Sequence, residues 1–177
     1  MKFKKISAIM LAAAMIAPTL AGTQAITTLA AEETEAGTPK YIFLFIGDGM
    51  SFPQIQATAD YLGTTESDGG IQSQALSFMD FPVVGTAQTY DSTSFAPDSA
   101  STATSISTGN KTYSGTINMD TTMTQKFETI SEKLKSQKDY KVGIVTTVNL
   151  NHATPAAFYA HQASRNSYYD IAMELTA

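Results

Sequence analysis

The sequence predicts an α/β protein built on a doubly wound, mostly parallel sheet with flanking helices. Two observations carry this. An unbroken apolar run, Tyr41-Ile42-Phe43-Leu44-Phe45-Ile46, ends at Gly47-Asp48-Gly49, and a strand apolar on both faces suits the interior of a parallel sheet. Further on, a helical pattern at 126–137 is followed after a short turn by a β-rich run at 142–148. Helix then strand, repeated, is the mark of this class. A chain of 177 residues, 43% hydrophobic and 15% charged, is long enough for one such domain and is globular in composition.

Residues 1–30 read as a secretory signal peptide. Met1-Lys2-Phe3-Lys4-Lys5 is a basic start, Ile6 to Ala21 is almost wholly apolar, and Thr28-Leu29-Ala30 or Thr23-Gln24-Ala25 offers a small-residue cleavage signal. The apolar run approaches a membrane-spanning length. Pro18 and Gly22 interrupt it and an acidic stretch follows, so cleavage is the expectation, leaving no stable membrane span and a secreted or cell-envelope protein. Residues 31–39 are a flexible leader, and residues 40–177 form the domain.

Within the domain, Ser51 caps a helix with Pro53 in its first turn, running to about Leu62. Residues 63–70 are a polar loop, and 83–90 are a second strand. The stretch at 126–137 sets Phe127, Ile130 and Leu134 on one stripe. Residues 155–163 and 167–176 read as helices. The last of these reaches Ala177 with no cap and no closing element, so the domain is expected to be truncated, incomplete at its carboxyl end.

Charge and composition exclude several functions. A formal charge of −5 repels polyanions, which argues against a nucleic-acid partner. The absence of cysteine removes disulfides, thiolate metal sites and a cysteine nucleophile. With two histidines and no Gly-x-Ser-x-Gly elbow, a Ser-His-Asp hydrolase has little support.

Four places carry candidate chemistry. Asp48, between glycines at a strand's carboxyl end, faces the crevice where such sheets hold ligands and offers oxygen to a hard cation. It also fits a plain turn. Pro97-Asp98-Ser99 starts a helix that Gly109 stops, against the alternative of a Ser/Thr-rich linker. Ser99 at that amino terminus can attack phosphorus and hold the resulting anion, given a metal or base to activate it. In Asn151-His152-Ala153-Thr154-Pro155, His152 offers nitrogen and Thr154 a hydroxyl, while Thr154 equally suits a helix N-cap. Arg165 is the sole arginine and matches phosphate oxygens in pairs, or is simply solvated. His161 reads as a helix-surface residue and Lys111 as structural.

In order and separation, Phe45-Ile46-Gly47-Asp48-Gly49-Met50, Pro97-Asp98-Ser99-Ala100, Ser107-Thr108-Gly109-Asn110-Lys111-Thr112, His152-Ala153-Thr154-Pro155-Ala156 and Arg165 resemble the alkaline phosphatase family across residues 41–177. The resemblance implies hydrolysis of small phosphate monoesters with two zinc ions and one magnesium. Ser99 would be the nucleophile, forming a phosphoserine that water then hydrolyses. Asp48 would bridge a zinc and the magnesium, and Thr154 would ligate magnesium with His152 in or beside that shell. Arg165 would clamp the phosphate, positioned by Asp98. Family members run well over twice this length, and their remaining zinc ligands lie in the carboxyl half. The active site is therefore expected to be incomplete and this chain alone inactive, with a homodimer possible at full length. The competing readings are an inactive secreted fragment and a related metallo-phosphodiesterase.

Overall fold

The computed structural model describes residues 38–176. The expected signal peptide and residues 31–37 of the expected leader lie outside the described residues. The chain divides into two compact units, residues 1–44 and 45–177. In the first unit, the described residues 38–44 are exposed and irregular, with the Lys40 ammonium 5.3 Å from the centre of the Tyr41 ring.

All the described helices lie in the second unit. Ser51 begins α1 (Phe52–Glu66), where the Gln54 side chain accepts from the Ser51 N–H at 3.1 Å. The helix passes the expected stop at Leu62 by one turn, correcting the loop reading of 63–66. Gly63 does not end it, because Gly63 is a packing site: a Cβ there would lie 2.3 Å from the Gln72 carbonyl oxygen. The chain returns across this face, and the Gln74 N–H donates to the Ala59 carbonyl at 2.9 Å. A short 3-10 turn follows at Ser77–Asp80.

Helix α2 (Ser99–Thr108) is bounded as its signals predict, by Asp98 at the start and Gly109 at φ 76° at the end. Its weak intrinsic formers bond back to the helix, Thr102 Oγ1 to the Asp98 carbonyl and Thr108 Oγ1 to the Thr104 carbonyl, each at 2.8 Å. Its small residues pack on α4 (Ala153–Ala156). Ala100, Ala103, Ala153, Ala156, Ala157 and Ala160 surround Ile117 and Ile171 in the core.

Helix α3 (Ile130–Lys138) starts four residues later than the stripe suggested. Thr129 and Glu132 form a capping box there, while Lys126 is held upstream in an antiparallel bridge to Met119. The predicted helix at 155–163 is confined to α4 and a following turn. The reason is Asn118, fully buried, whose side-chain amide donates to the Ala157 and Ala160 carbonyls at 2.8 Å each. It thereby ends the helix, and Gln162 pairs with Ile117 in a second bridge. The last helix is α5 (Tyr168–Glu174).

The expected strands at 41–46, 83–90 and 142–148 have no ladder among the described residues, which hold only the two isolated bridges. Their apolar side chains lie open: Phe45 is 84% exposed, Val84 87% and Val145 100%. A parallel strand needs partners at its edges and layers on both faces. No described helix is long and apolar enough to cross a membrane.

Candidate active site

Asp48 sits in a tight turn that the Met50 N–H closes on the Gly47 carbonyl at 3.0 Å, with Gly49 at φ 69°. The left-handed glycine lets the chain reverse at once, leaving the carboxylate at the apex. Asp48 thus occupies the turn that the plain reading expected. Oδ1 accepts from the Ser99 hydroxyl at 3.1 Å, and Oδ2 accepts from the Thr154 hydroxyl at 2.7 Å.

Ser99 is the first residue of α2. Asp98 is its N-cap, accepting from the Ser101 N–H at 3.1 Å. The Ser99 hydroxyl thus stands where free N–H groups and the helix dipole favour an anion. Thr154 is inside α4, whose N-cap is His152. Its hydroxyl donates to Asp48, and the N-cap position the sequence also allowed it is held by His152 instead.

Arg165 comes to the same place. Its Nη1 donates to Asp98 Oδ2 at 2.9 Å, and Nη2 lies 3.4 Å from His152 Nε2. The Arg165 main-chain N–H donates to the Gly115 carbonyl at 2.7 Å. Burial pushes the Asp98 carboxyl up, but donation from the Gly115 and Ser101 N–H groups and from Arg165 outweighs it and holds the group below its ordinary value. The arginine is thus tied to the residue preceding the serine. Lys111 donates to the Tyr90 carbonyl and lies 4.4 Å from the centre of its ring, as a structural residue would.

The donor set bears on metals. The Asp48 carboxylate and the Ser99 and Thr154 hydroxyls are the oxygens a hard cation takes, and His152 Nδ1 is buried without a hydrogen-bond partner among the described residues. These residues fit a share of a metal centre. Zinc takes about four ligands, and among the described residues no group of three or more His, Asp or Glu could hold a metal by itself.

His161 corrects its surface assignment. It is buried, with Nε2 3.0 Å from the Phe127 carbonyl and its main-chain N–H donating to Glu174 at 3.0 Å. Sequence reasoning also passed over Asp91, Ser101, Ser114 and Asn118. Asp91 is buried and accepts from the Thr93 and Ser94 N–H groups at 2.7 Å each. Burial raises its carboxyl, yet the Ser114 and Ser101 hydroxyls and the Thr93 N–H and hydroxyl draw it far below the usual range. Its signal was there to find, since Asp followed by Ser-Thr-Ser is an Asx-turn sequence.

The profile of the alkaline phosphatase family matches residues 39–177. Over 142 residues the chain is 40% identical to alkaline phosphatase 4 of Drosophila melanogaster, covering 76% of this chain and 24% of that protein. It is 38% identical over 146 residues to the tissue-nonspecific alkaline phosphatase of Gallus gallus, covering 78% of this chain and 28% of that one. Among solved structures, the cold-active alkaline phosphatase of a Shewanella species superposes with a TM-score of 0.63 at 33% identity, over 73% of this chain and 32% of that chain. A histidine-substituted, magnesium-bound form of the alkaline phosphatase from the Antarctic bacterium TAB5 gives 0.55 at 33% identity, over 65% and 33%. The chain belongs to the alkaline phosphatase family and spans about a quarter to a third of the length of these relatives.

Proposed function

We propose that this chain supplies the nucleophile and phosphate-clamping part of a secreted alkaline phosphatase that hydrolyses small phosphate monoesters. The observation that carries this is the meeting of Ser99, Asp48 and Thr154 through one carboxylate, with Arg165 anchored on the neighbouring Asp98. Arg165 and the N–H groups at the start of α2 bind and orient the phosphoryl oxygens. Ser99 Oγ attacks phosphorus in line, the ester P–O bond breaks, and the alcohol leaves as Oγ becomes esterified. Water then cleaves phosphoserine, returning the hydroxyl and releasing inorganic phosphate. Asp48, Thr154 and His152 would hold their share of two zinc ions and one magnesium, which when bound lower the serine's pKa and neutralise developing charge.

In this reading the exposed segments at 41–46, 83–90 and 142–148 become strands of the doubly wound sheet in a longer protein, homodimeric at full length. The chain alone is inactive. The test is acid-quenched mass spectrometry of the metal-loaded complete enzyme after incubation with a monoester. Ser99 should gain the mass of one phosphoryl group, and Ser99→Ala should lose it. Phosphate on another residue, or rapid turnover by residues 31–177 alone, would overturn the assignment, and faster cleavage of diesters would favour a phosphodiesterase.

A further inference from the structure

Arg165 is held by a set of residues that leads back to one buried acid, Asp91. Its Oδ1 takes the Thr93 N–H at 2.7 Å, the Thr93 hydroxyl at 2.9 Å and the Ser94 N–H at 2.7 Å. These contacts close its own turn. Its Oδ2 does something else, accepting from the Ser101 hydroxyl at 2.7 Å and from the Ser114 hydroxyl.

Both of these serines lead to the arginine. Ser101 Oγ lies 3.0 Å from Asp98 Oδ1, and Asp98 Oδ2 takes Arg165 Nη1. Ser101 has one hydroxyl proton, and its shorter contact is to Asp91. Asp91 thus holds Ser101 by its hydroxyl, and Ser101 in turn holds Asp98 Oδ1 by its N–H at 3.1 Å. The second route is main chain. Ser114 is bound to Asp91 through its hydroxyl and to Thr93 Oγ1 through its N–H at 3.2 Å, and the adjoining Gly115 carbonyl receives the Arg165 N–H at 2.7 Å. One route holds the guanidinium and the other the backbone that carries it.

We propose that Asp91 is a positioning residue that fixes the Asp98–Arg165 pair, and so sets the site's affinity for the phosphoryl group without touching it. This rests on Arg165 being the phosphate clamp. A carboxylate serving its own turn alone would need only Oδ1.

The test uses the metal-loaded complete enzyme, with inorganic phosphate as calorimetric titrant and competitive inhibitor. Asp91→Ala should raise the phosphate Kd and the KM roughly tenfold and change kcat less than about threefold, as loss of uniform binding does. In an Arg165→Ala background the same change should move the phosphate Kd less than about twofold, because interacting residues are non-additive. Asp91→Asn should recover most of the affinity, since its amide can donate to the two serine hydroxyls in place of accepting from them. Should Asp91→Ala fail to fold, Ser101→Ala cuts the first route alone and should give an intermediate rise in Kd. A fall in Tm with the phosphate Kd unchanged, or an equal loss in both arginine backgrounds, would assign Asp91 to stability and overturn the proposal while leaving the phosphatase reading intact. Wild-type enzyme that binds no phosphate, or binds it equally well as Arg165→Ala, would overturn both.

Discussion

Ser99 Oγ and Asp48 Oδ1 stand 3.1 Å apart across 51 residues of chain, and the other oxygen of that carboxylate holds Thr154, 106 residues away, at 2.7 Å. One acid at the apex of a turn therefore registers α2 against α4. The two helices pack through alanines, so the hydroxyl-bearing residues at their starts are brought to a common point by apolar packing behind them. Position comes from the core, and chemistry from the short polar side chains at the helix ends.

Ser99→Ala should reduce kcat for monoester hydrolysis by the complete enzyme by about 10⁴-fold or more, the scale on which a lone nucleophile's removal acts. The substitution suits the first turn of a helix and removes no buried contact, so Tm should hold. Steady-state hydrolysis of a chromogenic monoester, with Tm measured in parallel, checks it. Retention of a tenth of the activity would mean that another group attacks phosphorus.

Thr154→Ala should weaken magnesium stimulation of the chelator-stripped complete enzyme about tenfold, because it strips one oxygen donor from the Asp48 cluster. Thr154→Ser keeps that donor and should restore the response. Magnesium titration of the three proteins decides the matter. A serine variant as poor as the alanine variant would point to the methyl group, and so to packing.

Some of this was legible beforehand because it is local. Ser51, Pro97-Asp98 and Gly109 mark helix ends through bonds within one turn, and short-range chemistry is readable in a short window. The errors share the opposite cause. Gly63 reads as a stop, yet its meaning lies in the chain that returns at Gln72. Asn118 ends a helix 39 residues further along, and no pattern within that helix says so. His161 looks like a surface residue until Glu132 of α3 and Glu174 of α5 close around it. Apolar runs at 41–46 and 142–148 signal strands, but pairing is supplied by whatever lies beside them, and no described residue does that.

Acid should remove stability through Asp91 and Asp98. Both carboxyls lie below their unfolded values in the folded protein, and the unfolded value is about 3.9. Their contribution is therefore complete above about pH 5 and is lost as pH falls through 4 toward the folded values. Asp91→Asn cannot titrate, so the stability gap between wild type and this variant should shrink from pH 6 to pH 3. Urea unfolding of the complete enzyme at each pH measures the gap, and a constant gap would show that the acid's charge is not what the two hydroxyls hold.

Gly63 and Gly109 should respond to alanine for different reasons. At Gly109 the φ of 76° is left-handed and nothing lies within 4 Å of an added Cβ, so Gly109→Ala should cost about 1–2 kcal/mol of backbone energy. At Gly63 the backbone is helical, and alanine would favour it were there room. The Cβ would instead meet the Gln72 carbonyl carbon at 2.6 Å, and main chain cannot swing aside as a side chain would. Gly63→Ala should therefore cost about 1–3 kcal/mol through displaced backbone. The two are separated by hydrogen exchange at Gln74, whose N–H reaches Ala59 across the same face. Gly63→Ala should speed that exchange, and Gly109→Ala should leave it alone. Equal protection in both variants would place the returning chain elsewhere.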